Sequence, residues 1–120
     1  MNIIIKSGDM DMATLYRLTK SPEIAKLTTV KGQEIEIERF IVYADPVKSD
    51  LNSLDAYVTI AAFETTAGEL FATNSPTFTR DFLDILEMCK EAGAPYPKKV
   101  KVLPKIGKSG REYIQCVYIA

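Results

Sequence analysis

Alternating apolar and polar side chains predict a β-strand over residues 56–63. The aliphatic set of Ala56, Val58, Ile60 and Ala62 alternates with Tyr57, Thr59, Ala61 and Phe63. A repeat of two residues is typical of a strand with one buried face. We therefore expect the aliphatic set to face the core. The second set, which carries two aromatic rings, is expected to face outward.

A turn, a short strand and a helix are predicted next. Ala67-Gly68 marks a hairpin turn over residues 64–69, and residues 70–73 form the returning strand. Ser75-Pro76 predicts a helix start, with Ser as the N-cap and Pro at the first helical position. An apolar stripe follows at helical spacing, comprising Phe78, Phe82, Ile85, Leu86 and Cys89. Gly93 predicts the end of the helix.

Two strands are predicted after this helix and one before the first hairpin. Val100 and Val102 alternate with Lys99, Lys101 and Leu103, and the closing strand places Ile114, Cys116 and Tyr118 opposite Tyr113, Gln115 and Val117. The earlier strand, 33–44, alternates Glu with Ile and then becomes wholly apolar. A bulge or bend near Arg39 would explain this slip, and a strand shared between two edges of a small barrel requires one. Residues 45–54 form a polar, proline-containing loop.

Residues 1–31 are harder to assign. Residues 2–6 are compatible with a short strand, whereas residues 11–20 (DMATLYRLTK) fit a helix or a strand equally well. Ser21-Pro22-Glu23 is a helix start or a turn, with Ile24 and Leu27 as expected core contacts. The length of 120 residues indicates a single domain.

The element order predicts the fold class. Five strands with one helix between the third and fourth are typical of the five-stranded Greek-key barrel called the OB-fold. We expect a single OB-fold domain over residues 1–120. Within it, residues 32–120 form the barrel and residues 1–31 form an N-terminal extension that packs on it.

Composition indicates a cytoplasmic protein. No apolar run approaches the roughly 20 residues of a membrane-spanning helix, and MNIIIKSGD does not resemble a secretory signal. The two cysteines fall on predicted core faces, which fits a reducing compartment. The formal net charge is −1, yet residues 98–111 carry six basic side chains and no acidic one. A polyanion responds to this local field rather than to the net charge.

Catalytic and metal-binding patterns are weak. The chain contains no histidine, which removes the commonest general base and metal ligand. Cys89 and Cys116 are expected in the core, and the Glu34, Glu36 and Glu38 row is expected to be a solvated edge rather than a Mg²⁺ site. KIGKSG lacks the leading Gly and the strand-to-helix context of a phosphate loop. We therefore expect neither an enzyme, nor a metal site, nor a cofactor.

Several segments together resemble a known family. They are TIAAFETTAGELFATNS, FTRDFLDIL, KVKV and KSGREYIQC, in that order over roughly residues 33–120. This half of the chain resembles the small single-stranded DNA-binding proteins of phages and mobile elements of Gram-positive bacteria. The resemblance implies an OB-fold without a cofactor that coats single-stranded DNA during replication or recombination, in the host cytoplasm if phage-encoded. The chain ends in VYIA rather than an acidic tail ending in Phe, so we do not expect partners to be recruited through such a tail.

Stacking and charge are the expected chemistry of the site. Aromatic rings stack on any base, and Lys and Arg neutralise phosphates, so together they bind single strands without sequence preference. The candidate DNA-binding residues are Arg39, Tyr43, Tyr57, Phe63, Phe71, Lys99, Lys101, Lys105, Lys108, Arg111 and Tyr113. The alternative is an OB-fold adaptor that binds another replication or recombination protein. Such an adaptor would present an exposed aliphatic patch.

Overall fold

The computed structural model of the chain describes residues 1–46 and 57–120. The elements are β1 (Asn2–Lys6), α1 (Met12–Thr19), β2 (Ala25–Lys26), a 3-10 helix (Leu27–Val30), β3 (Glu34–Pro46), β4 (Tyr57–Thr65), β5 (Leu70–Thr73), α2 (Pro76–Glu91), β6 (Lys99–Ile106) and β7 (Glu112–Tyr118). The rest of the predicted 45–54 loop, beyond Asp45 and Pro46, lies outside the described residues. Ala56 lies outside them too.

The strand β3 holds the sheet together. The strand order is β2-β5-β4-β3-β6-β7, and β1 also pairs with β3. The first residues of β3, from Glu34 to Glu36, pair with β6. Residues 41–44 of β3 pair with β1, and residues 37–46 pair with β4. The register with β4 shifts between Ile37 and Arg39, which confirms the predicted bulge. The result is a mainly β protein with one curled, open sheet and two helices.

The N-terminal segment adds more structure than expected. Among the described residues there are seven strands rather than five, because β1 and β2 both come from this segment. The ambiguous stretch 11–20 forms α1, whose N-cap Asp11 accepts a hydrogen bond from the Thr14 N–H at 2.8 Å. This bond lowers the pKa of the Asp11 carboxyl. Neither described helix is long and apolar enough to cross a membrane.

The second helix begins and ends where its sequence signals predict. The Ser75 Oγ accepts a hydrogen bond from the Phe78 N–H at 3.4 Å, and Pro76 is the first helical residue. At the other end Gly93 has a φ of +66°, a conformation that glycine adopts without steric cost. The Ala94 N–H then donates to the Cys89 carbonyl at 2.8 Å, which closes the helix.

The main core lies between the concave face of the sheet and α2. Phe82 of α2 packs edge-on against Phe40 of β3 and Phe63 of β4, with ring centroids 5.1 and 5.0 Å apart. Aromatic rings favour edge-to-face contacts of this kind, and these contacts stabilise the packing of α2 on the sheet. Leu27 completes the cluster, as predicted, and is fully buried.

A second core lies on the opposite face of the sheet, under α1. Its buried members are Leu18, Ile41, Tyr43, Ala62 and Leu70, with Ile24 and Ile60 partly buried against them. Both faces of β4 are therefore covered by helices. Residues 60 and 62 face α1, and residues 61 and 63 face α2.

Because helices cover both faces of the sheet, three of the site predictions are wrong. Phe63 and Phe71, expected to face outward, are 0% and 6% exposed and belong to the main core. Tyr43 is 3% exposed beneath α1, where its hydroxyl lies 3.5 Å from the Thr19 carbonyl oxygen. Burial raises the pKa of Tyr43, and the nearby Asp45 carboxylate adds to the effect. None of these three rings can stack on a base without unfolding part of the sheet.

Phe71→Ala is therefore expected to lower the free energy of unfolding by about 3–5 kcal/mol, the usual cost of deleting a buried phenyl ring. Tyr57→Ala is the matched control, because Tyr57 is 58% exposed and its loss should change stability by about 0.5 kcal/mol or less. Urea denaturation followed by circular dichroism measures both. Equal stabilities for the two variants would contradict the buried position of Phe71.

Candidate nucleic-acid interface

The basic residues cluster on the hairpin formed by β6, β7 and the tip 107–111, hereafter the basic hairpin. Val100 and Val102 are fully buried, so the intervening side chains of β6 point to the outer face of the sheet. Residues of β7 lie opposite these outer-face residues of β6. Tyr113 lies opposite Lys105, Gln115 opposite Leu103, and Val117 opposite Lys101. The outer face of the basic hairpin thus places an aromatic ring directly across from a lysine.

Acidic residues of β3 compensate part of this charge. The Lys99 Nζ lies 3.7 Å from Glu34 Oε1 and 3.9 Å from Glu36 Oε1. Lys101 lies opposite Glu34 in the β3–β6 register. The run free of acidic residues in the sequence is therefore partly neutralised in three dimensions, at the end of β6 nearest β3.

The positive charge is concentrated toward the tip. Within the described parts of the chain, no carboxylate oxygen lies within 4.0 Å of the charged nitrogens of Lys101, Lys105, Lys108 or Arg111. The last three of these side chains are exposed. Lys31 and Glu112 form an exposed ion pair at 2.7 Å beside the tip. Cations without close acidic partners are available to bind phosphate.

Backbone hydrogen bonds shape the tip. The Gly107 N–H donates to the Arg111 carbonyl at 2.8 Å, and the Gly110 N–H donates to the Gly107 carbonyl at 3.0 Å. The Tyr113 ring packs against Gly107, because a Cβ added there would lie 3.7 Å from a ring carbon. Ile106, at the start of the tip, is 76% exposed. The tip is a compact turn that presents Lys105, Lys108 and Arg111 to solvent.

Arg39, a predicted DNA-binding residue, forms an ion pair with Glu64. Its Nη1 lies 2.5 Å from Glu64 Oε1, and Arg17 of α1 approaches the other oxygen, Oε2, at 3.0 Å. The Glu64 side chain is only 8% exposed. The Glu64 carboxylate of β4 therefore binds both α1, through Arg17, and the bulge of β3, through Arg39. This contact was not predicted, because Arg17 lies in the segment whose secondary structure could not be assigned from the sequence.

Tyr57 is exposed but distant from the basic hairpin along β3. It pairs with Pro46 at the C-terminal end of β3, whereas β6 pairs with Glu34–Glu36 at the N-terminal end and continues beyond it to the tip. The structure therefore brings together Lys101, Lys105, Lys108, Arg111 and Tyr113. It places Tyr57 at the far end of the sheet.

The face of β4 and β5 that carries Phe63 and Phe71, the expected stacking platform, packs against α2 in the main core. The opposite face, which carries Ala62 and Leu70, packs against α1 in the second core. Beside α1, a groove of about 690 Å³ remains between Lys20, Lys26, Ile60 and Asn74. Most of this sheet face is thus closed to a nucleic acid strand.

The cysteines have the environment of core residues. Cys89 and Cys116 are both unpaired and each is 7% exposed. Burial raises the pKa of Cys116 to about 12, and the Asp81 carboxylate, whose Oδ2 lies 3.4 Å from the Cys116 N–H, adds to the effect. The thiolate is the reactive form, so Cys116 is a poor nucleophile at neutral pH.

Comparisons of the chain with models of protein families, with curated proteins and with solved structures found no match.

Glu64→Gln is expected to lower the free energy of unfolding by about 1–2 kcal/mol, because it removes the charge that both Arg17 and Arg39 bind while keeping the side-chain volume. Urea denaturation measures the loss. Glu112→Gln is the matched control, since its ion pair with Lys31 is half exposed on both sides and should contribute about 0–1 kcal/mol. Equal losses for the two variants would show that the double arginine contact does not stabilise the packing of α1.

Proposed function

We propose that the protein binds single-stranded DNA without sequence preference, through the outer face and tip of the basic hairpin. The observation that carries the proposal is the group formed by Lys101, Lys105, Lys108 and Arg111, cations without a close carboxylate among the described residues, with Tyr113 directly across from Lys105. Cations neutralise the phosphates, and the half-buried Tyr113 ring offers one stacking surface. Coating of single strands in replication or recombination is the role we assign to it.

The sheet topology supports an OB-fold as the scaffold. Strands β3, β4, β5, β6 and β7 follow one another in the chain as the five strands of a Greek-key barrel do, with β3 shared by the two halves. The open edges of the sheet are β2, which pairs with β5, and β7. The helix α2 packs along β7, and Asp81 accepts a hydrogen bond from the Cys116 N–H. In OB-folds the loop between the last two strands is one of those that bind single strands. The tip 107–111 occupies this position.

The proposal predicts a preference for single strands over duplex. A ring that stacks on a base needs that base to be unpaired, and Tyr113 lies beside the cations rather than apart from them. Nothing in this arrangement requires a metal, a cofactor or a catalytic group. We propose a binding protein rather than an enzyme.

A second candidate, a protein-binding adaptor, has one observation in its favour. Ile3 and Ile4 of β1 are 43% and 51% exposed, and Ile4 borders a cleft of about 300 Å³ with Leu83 and Tyr96. This is the exposed aliphatic patch that an adaptor would present. Titration with oligo-dT separates the candidates, because an adaptor without a nucleic acid site would bind no oligonucleotide at all. Ile4→Ser should leave oligo-dT affinity unchanged if the basic hairpin is the site.

Binding to a fluorescently labelled 20-nucleotide oligo-dT is expected to weaken with salt. With four phosphates neutralised at about −0.7 each, log K should fall against log[salt] with a slope of roughly −3. Replacing Lys105, Lys108 and Arg111 together by Ser should flatten that slope by about 2 and leave the melting temperature unchanged, because all three side chains are exposed. Fluorescence anisotropy at several salt concentrations measures the slope.

The matched control replaces three lysines on other elements, Lys6, Lys26 and Lys90, by Ser and should leave the slope much closer to that of the parent. Duplex DNA and oligo-U are measured alongside. A flat salt response, equal affinity for duplex, or a triple hairpin variant that binds like the parent would each contradict the proposal.

A further inference from the structure

A cavity of about 470 Å³ lies between the start of β4 and the first turns of α2. It is formed where β4 begins, where the chain leaves β5, and where the first turns of α2 pass over both. Its polar lining includes Tyr57, Asn74, Arg80 and Asp84, and its apolar lining includes Pro76 and Leu83. The volume falls in the range of small-molecule sites, which combine apolar walls with a few polar groups.

Tyr57 gives this cavity an accessible aromatic wall. The side chain is 58% exposed, although rings of this size usually bury more of their surface in a folded domain. It is the first residue of β4, paired with Pro46, and its backbone position is therefore fixed by the sheet. An exposed ring on a fixed backbone is a suitable stacking surface, because little conformational entropy is lost when a planar ligand binds.

Two charged groups of opposite sign face the same space. Arg80 and Asp84 are one helical turn apart on α2, a spacing at which such side chains commonly pair. Across the described residues, neither has an ion-pair partner within 4.0 Å. The cavity therefore offers donors on Arg80, an acceptor on Asp84, and both kinds of group on the Asn74 amide.

We propose that this cavity holds one unstacked nucleobase and favours bases with an exocyclic amino group. The base stacks on Tyr57, its amino group donates to the Asp84 carboxylate, and Arg80 donates to a ring nitrogen or carbonyl oxygen. Cytosine, adenine and guanine carry the amino group, whereas thymine has only its N3–H to donate, flanked by two carbonyl oxygens that Asp84 would repel. This inference rests on the proposed function: the contacts of the basic hairpin remain independent of sequence, and the cavity adds a preference for the one base that it holds.

Fluorescence anisotropy with labelled dC20 and dT20 tests the proposal on the full chain. The parent should bind dC20 about 3- to 10-fold more tightly than dT20, the effect of one hydrogen bond. Asp84→Asn should abolish this ratio, because an amide serves either base. Glu87→Gln, a matched loss of charge on the same helix outside the cavity, should preserve it. Tyr57→Ala should weaken dC20 and dT20 by roughly 5- to 150-fold.

The outcomes separate the two proposals. Equal affinity of the parent for dC20 and dT20, or the same ratio in the Asp84→Asn and Glu87→Gln variants, overturns the base site while leaving hairpin binding intact. A Tyr57→Ala variant that binds dT20 like the parent does the same. Failure of every oligonucleotide to bind overturns the proposed function, and this inference with it.

Discussion

The sharing of β3 between neighbours is the constraint on which the rest of the structure depends. One strand pairs with β4 along most of its length, with β6 at its start and with β1 near its end. The bulge between Ile37 and Arg39 turns the strand between these partners, since an unpaired extra residue bends and twists the chain locally. Its apolar second half supplies Phe40 and Val42 to the main core and Ile41 and Tyr43 to the core under α1. Without the bend there would be no concave face for α2 to fill.

The sequence was a good guide where local chemistry decides the outcome. The start and end of α2, the turn at Gly68 and the bulge near Arg39 each depend on side chains within a few residues, and each was predicted. It was a poor guide to which face of β4 is exposed. Alternation places Phe63 and Ala62 on opposite faces of the strand but does not show which face is exposed to solvent. In the structure each of the two faces packs against a helix. The deciding element, α1, has only eight residues and no clear periodicity, so the second core was not foreseen.

The distribution of charged residues along the sequence also differs from their distribution in the folded protein. Residues 98–111 contain no acid, yet Glu34 and Glu36 lie across from Lys101 and Lys99 because β3 pairs with the start of β6. The cations that escape this pairing lie past the end of β3, at Lys105, Lys108 and Arg111. Sequence alone cannot show this, since strand pairing brings together residues more than sixty positions apart. The prediction of a basic surface therefore holds for the tip more than for the strand.

The helix α2 determines how the two proposed contact regions relate to each other. Asp81 binds the Cys116 N–H on β7, the outer strand of the basic hairpin, while Arg80 and Asp84, one and three residues away, line the Tyr57 cavity. A helix is stiff over so short a distance, and Phe82 between them is anchored by two aromatic rings. The distance between cavity and hairpin is thus set by packing rather than by a loop. A strand that contacts both would meet a preformed path, and its affinity would not be reduced by the cost of ordering the protein.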